Sequence, residues 1–140
     1  MSDEIYRRLA NLLDTLPNGF PATESGVEIR LLMRVFTPEQ AGLFCDLRLT
    51  FETAGEIAVR TGRPAEGLEN LLAGMADAGQ VMMIELEGTR FFRMLPWVFG
   101  IYEFQLHRMD QEFAEAVEGY WPAFGRQFFA NKPQLMQTLA

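Results

Sequence analysis

The fold turns on one stretch, "TAGEIAVRTGRPAEGLENLLAGMADAGQVMMIELEGTRFFRML", residues 53–95. Thr53 and Glu56 stand in the T-x-x-E spacing of a capping box, in which a side-chain oxygen and a carboxylate satisfy the free N–H groups of a helix start. Ala54, Ile57 and Ala58 follow at helical spacing, and Gly62 can close the helix in the left-handed conformation. Pro64 is then expected to open a second helix running to Gly79, with Leu68, Leu71, Leu72, Met75 and Ala76 as its apolar stripe. Glu66, Glu69, Asn70, Ala73 and Asp77 are left for its outer face. The β-prone run from Val81 to Leu95 is split by Glu87-Gly88, the pattern of a tight hairpin. A two-residue loop places Glu85 opposite Arg90, a favourable contact of about 0.2–1 kcal/mol. Helix, turn, helix and hairpin in that order predict a mainly α, α+β fold: a winged helix-turn-helix with a β-hairpin wing.

Upstream, Ile5, Leu9, Leu12, Leu13 and Leu16 predict a helix over residues 4–16, broken by "PNGFP". Ser25 and Glu28 are spaced as a second capping box, with Thr23 as a competing cap, before the helical run "VEIRLLMRVF". Thr37-Pro38-Glu39-Gln40 combines a cap, a proline at the first helical position and a residue able to reach back to the cap. Leu43, Phe44 and Leu47 form the buried face of that helix.

Bulk properties exclude several classes. At 140 residues the chain suits a single domain. Its formal charge of −7 opposes sequence-independent attraction to phosphate or anionic lipid. The basic residues are nearly all Arg and fall singly or in pairs among acids. A lone Cys45 cannot form an internal disulfide or hold an iron–sulfur cluster by itself. "MSDEIYRR" carries acids where a secretory signal has basic residues, and "MLPWVFGIY" is far shorter than a membrane span of roughly 18 residues. A cytoplasmic location is expected.

Beyond Pro96 the composition changes, for 12 of the 17 aromatic residues lie between Phe91 and Phe129. A helix "WVFGIYEFQL", apolar nearly all round, needs cover on more than one face. The expected organisation is a winged-helix domain over 1–95, a C-terminal helical extension over 96–124 and a linker over 125–140. Aromatic residues at helical spacing read as core or interface rather than ligand pocket, so Trp97, Tyr102, Phe104 and Trp121 are the candidate contact residues of a homodimer or of a neighbouring domain.

The segments "LPNGFPATESGVEIRLLMRVFTPEQA", "GRPAEGLENLLAGMADAGQV" and "VFGIYEFQLHRMD" together resemble the N-terminal region of bacterial ferredoxin-like iron–sulfur proteins. In that family a winged-helix segment precedes a domain whose Cys-x-x-Cys motifs bind [4Fe-4S] clusters. The motifs have no counterpart here, so no cluster ligand transfers to any position of this chain. The resemblance implies an electron-transfer setting, with the clusters in a following domain toward which "NKPQLMQTLA" leads.

The candidate sites are weighed on the same residues. Major-groove recognition by residues 64–79 needs Arg, Asn or Gln at base edges and several phosphate contacts. Asn70 is available, with Arg60 and Arg63 before it and Arg90 and Arg93 on the hairpin. From Thr53 to Gln80, however, two arginines face Glu56, Glu66, Glu69 and Asp77, a net charge of −2. His107 lies four residues after Glu103, a spacing that could give two metal ligands, but a site needs three or four; a solvated or ion-paired histidine is the stronger reading. Glu112, Glu115 and Glu118 read as a solvated face, and phosphate-loop and Ser-His-Asp patterns are lacking. The expected function is a non-catalytic interaction or assembly module of an iron–sulfur electron-transfer protein, without a cofactor or metal in this segment. The rival readings are a DNA-binding transcriptional regulator and a small-molecule sensor.

Overall fold

A computed structural model describes residues 2–105 and Tyr120. Its elements are α1 (Ser2–Thr15), α2 (Val27–Val35), α3 (Pro38–Cys45), α4 (Ala54–Thr61), α5 (Leu68–Asp77), β1 (Val81–Leu86), β2 (Thr89–Met94), a wide π turn (Trp97–Ile101) and α6 (Tyr102–Gln105). The described part is thus α+β and mostly helical, with one antiparallel hairpin. Among the described residues no helix is long and apolar enough to cross a membrane.

Local chemistry accounts for most boundaries. Thr37 and Thr53 form complete capping boxes: each hydroxyl accepts from the N–H of Gln40 or Glu56, whose side chain accepts from the cap's own N–H in return. Gly62 closes α4 at φ 76°, a conformation in which a Cβ is penalised. The start of α2 departs from expectation. Neither Ser25 nor Thr23 caps it: Gly26 precedes the helix and no side chain accepts a first-turn N–H. The Thr23 hydroxyl accepts the Gly26 N–H at 3.0 Å, while Glu28 accepts both the Thr23 N–H and hydroxyl. Residue 26 is left-handed and supplies no side chain, so the hydroxyl three residues upstream reaches the open N–H.

A second correction concerns α5, which begins at Leu68 and not at Pro64. Gly67 stands at φ 76°, outside the helical region, and "AEGL", residues 65–68, forms a turn closed by the Leu68 N–H to Ala65 carbonyl bond at 3.2 Å. Glu66 therefore lies in the turn between α4 and α5. The expected helix after Pro96 opens with a wide π turn that runs directly into α6. The Ile101 N–H donates to the Pro96 carbonyl at 3.0 Å, five residues back, the spacing of a π turn. Gly100 fits there because a Cβ would meet Leu95 at 3.2 Å.

The hairpin has the anticipated two-residue loop and register, Glu85 opposite Arg90 and Leu86 opposite Thr89. Both loop residues are left-handed, Glu87 at φ 52° and Gly88 at φ 81°, as a type I′ turn requires. Residues 48–52 run beside β2 and meet it in an unforeseen isolated bridge. Glu52 and Phe92 exchange both backbone hydrogen bonds, and the Met94 N–H donates to the Arg48 carbonyl.

α1 packs on α2 and α3, while α4 and α5 pack on each other and on the hairpin. One core joins them: Leu9, Leu13, Leu31, Leu32, Leu43, Ile57, Leu72 and Phe92 are among its fully buried side chains. Burying such a side chain contributes about 1.5–3 kcal/mol each. Phe36 and Phe44 meet edge to face at 5.5 Å, and the Tyr6 hydroxyl donates to the Phe36 carbonyl at 2.7 Å. This last bond ties α1 to the end of α2.

Candidate functional site

The surface built by α4, the turn, α5 and the hairpin holds every residue the sequence offers for nucleic-acid contact. Arg60 lies on α4 and donates from Nε to Glu52 Oε2 at 2.8 Å and from Nη2 to Oε1 at 2.6 Å. This two-point pair is mostly buried beneath the hairpin. The Arg60 hydrogen bonds hold the Glu52 carboxyl below the usual carboxylate range, against the opposing effect of burial.

Arg63 sits in the turn and donates through Nε and Nη2 to one oxygen of Asp46, at 3.1 and 2.8 Å. Arg8 of α1 reaches the other Asp46 oxygen at 3.4 Å. On the hairpin, Arg90 Nε lies 3.6 Å from Glu85 Oε1. The Arg93 guanidinium covers the Phe51 ring at 4.9 Å, and its Nη1 donates to the Leu49 carbonyl at 3.5 Å. Arg60, Arg63, Arg90 and Arg93 are therefore each engaged within the chain.

The carboxylates on the same surface are oriented differently. Glu56, Glu66, Glu69 and Asp77 are all exposed, with Asn70 exposed among them. An open depression of about 290 Å³ lies at the start of α5. Glu39 and Glu66 line it beside Arg63, Leu68 and Leu71. No row of arginines gathers there from other parts of the described chain. In the middle of α4, Val59 is 88% exposed, an apolar side chain where a phosphate-binding surface needs a donor.

A second cluster surrounds Trp97. Its ring lies 5.1 Å from Phe20 and 6.1 Å from Tyr102, and Phe20 in turn lies 5.0 Å from Tyr120. The Tyr120 hydroxyl donates to the Pro21 carbonyl at 2.8 Å. Burial, then the nearby Glu28 and Asp14 carboxylates, raise the Tyr120 phenol well above its ordinary pKa. Trp97 is 3% exposed and belongs to the chain's own core, whereas Tyr102 is half-buried. The side chain of Phe104, Trp121, His107, Glu112, Glu115 and Glu118 lie outside the described residues, as do most of the extension and the linker.

Among the described residues no group of three or more His, Cys, Asp or Glu is placed to hold a metal. The Glu103 carboxylate is engaged by the Gly100 N–H at 2.6 Å. Cys45 is half-buried, and burial pushes its thiol pKa up, which disfavours the reactive thiolate. The partners that decide the site, Glu52 and Asp46, carry no local motif. Only the bridge of residue 52 to β2 and the end of α3 bring them to the arginines. Compared with protein-family models, curated proteins and solved structures, the chain matches none.

Proposed function

We propose that this chain is a non-catalytic winged-helix module that acts through protein–protein contact, in the setting of an iron–sulfur electron-transfer protein. The observation that carries this reading is the sorting of charge around α4 and α5: arginines are spent on Glu52, Asp46, Glu85 and Phe51, and carboxylates are left outside. Binding to a duplex would require breaking those pairs while bringing Glu66, Glu69 and Asp77 toward phosphates. Each of those changes is unfavourable.

The order α4, turn, α5, hairpin supports the winged-helix reading, with Glu52 bridged to β2 beside the hairpin. The contact surface in this reading is the aromatic segment after Pro96. Tyr102 is its surface-reaching member, held from beneath by Trp97 on Phe20. The iron–sulfur setting rests on the sequence resemblance, with the clusters in a separate cysteine-rich domain.

An electrophoretic shift series with duplex DNA tests the choice. At low salt the chain is expected to leave the duplex unshifted. A tight shift that weakens steeply with salt would instead establish the DNA-binding regulator. Sedimentation equilibrium of the chain and of Tyr102→Ala tests the contact surface: self-association that depends on the aromatic segment falls in the variant, and equal association removes Tyr102 from the interface.

A further inference from the structure

Each face of the hairpin carries apolar residues. Cross-strand partners share a face, so the register places Val81, Met83, Phe92 and Met94 on one side with Glu85 and Arg90, and Met82, Ile84, Leu86 and Phe91 on the other with Thr89 and Arg93; Met82 is partly buried against the core. Leu86 is 58% exposed, and Ile84 and Phe91 are half-buried. β2 lies between β1 and residues 48–52, so β1 is the outer strand, and among the described residues nothing pairs with its free edge. Natural edge strands are usually guarded by Lys, Pro or a bulge. "VMMIEL" has neither Lys nor Pro and pairs with β2 without a bulge.

We propose that this edge pairs with β1 of a second copy, antiparallel and centred on Ile84. The hydrogen-bond pattern limits the register. Phe92 gives both its N–H and its C=O to Glu52, so the Phe92–Met83 pair exchanges no bonds within the hairpin. Bonded and non-bonded pairs alternate along an antiparallel ladder, which turns the backbone groups of Val81, Met83 and Glu85 toward the free edge. A twofold pairing must then centre on Met82, Met83, Ile84 or Glu85 for those groups to meet, and centring on Met82 sets the buried Val81 directly against Met83 of the second copy.

Centring on Glu85 sets two carboxylates directly against each other, which is destabilising. Centring on Met83 draws in Val81, which is 3% exposed, beside Gln80, whose amide is held by the Val35 carbonyl and Gln40. That end of the strand is closed. Centring on Ile84 sets Ile84 against its own copy and Met82 against Leu86 of the second copy, an apolar row along β1 that is exposed at Leu86 and partly buried at Met82. Glu85 then lies opposite Met83 of the second copy, so no acid faces an acid. This self-complementarity about a twofold axis is what selects a second copy as the occupant.

Strand addition alone covers less than the roughly 1,200–2,000 Å² of a standard interface, so the dimer is concentration-dependent. Both copies carry −7, so added salt strengthens it by screening their repulsion.

The test uses the whole chain with Cys45→Ala, adding Ile84→Cys or Leu86→Cys. Opposed non-bonded positions place Cα atoms about 4.5 Å apart, inside the range of about 4.4–6.8 Å that a disulfide spans. Under mild oxidation Ile84→Cys is expected to form covalent dimer about tenfold faster than Leu86→Cys. In sedimentation velocity Leu86→Lys on the natural chain is expected to weaken association about tenfold, equivalent to ~1.4 kcal/mol. Equal oxidation rates at the two positions overturn the pairing, as does a parent chain that sediments as a 15.9 kDa monomer throughout. Association that survives Leu86→Lys but is lost in Tyr102→Ala also overturns it and leaves the aromatic interface standing.

Discussion

The helix pair α4–α5 and the hairpin beside it solve the problem of surface in opposite ways. On the helix pair the polar groups are settled: Arg60 and Arg63 turn to Glu52 and Asp46, the Thr53 box closes the first helix, and the leftover carboxylates face water. The hairpin buries Phe92 and Met94 on one face yet leaves Ile84, Leu86 and Phe91 partly uncovered on the other. On the first surface the charged groups are paired or face water although Val59 stays exposed, while among the described residues the second has both apolar area and a strand edge without a partner. Charge on the helices therefore argues about which partners are refused, and the hairpin about which are accepted.

The largest blow to this contrast is Phe92→Ala, which removes a 1% exposed ring from the inner face. A loss of about 3–5 kcal/mol is expected, read by denaturant unfolding. Phe91→Ala, one residue along on the outer face, should cost clearly less; equal losses would show that both faces are packed alike.

Next in size is Glu52→Ala, which leaves Arg60 mostly buried without its carboxylate. We expect about 1–3 kcal/mol at neutral pH. Because the folded-state pKa of Glu52 is lowered, its contribution is present above the ordinary glutamate pKa of about 4.3. It is lost as pH falls through the depressed folded value. The gap between parent and variant should therefore narrow as pH falls below about 4, and a gap that does not shrink on acidification would contradict the assignment.

Glu87→Asn should act in the other direction. Glu87 is left-handed at φ 52° in the turn, a conformation that costs most L-residues roughly 1–2 kcal/mol and that Asn adopts more readily. A gain of about 0.5–1 kcal/mol is expected in thermal unfolding; no gain would mean that the turn is held by something other than its own backbone preference. The smallest effect is that of Arg90→Ala. Its exposed pair with Glu85 at 3.6 Å should contribute under about 0.5 kcal/mol. A cost as large as that of Glu52→Ala would erase the distinction between the two surfaces.

Much of this molecule could be read from residues close together in the chain. The Thr37 and Thr53 boxes, the Gly62 stop and the Glu85–Arg90 register each depend on groups a few residues apart, whose geometry the backbone alone restricts. Where local signals competed, reading stopped: Ser25 and Thr23 offered rival caps, and Pro64 looked like a helix start until Gly67 took the left-handed position. The aromatic residues after Pro96 were visible as a group, but not that Trp97 would be spent on Phe20.

What the linear chain could not decide was the fate of its arginines. Counting charges between Thr53 and Gln80 already spoke against a polyanion, because the sum needs no coordinates. Which carboxylate holds which arginine depends on segments that meet only after packing: Asp46 at the end of α3 reaches Arg63, and the bridge of Glu52 to Phe92 sets its carboxylate over Arg60. The same packing made β1 an outer strand with an open edge. Local propensities act through fixed covalent distances and are written into neighbouring residues, whereas ion pairs and strand edges belong to surfaces that exist only once the core has brought distant segments together.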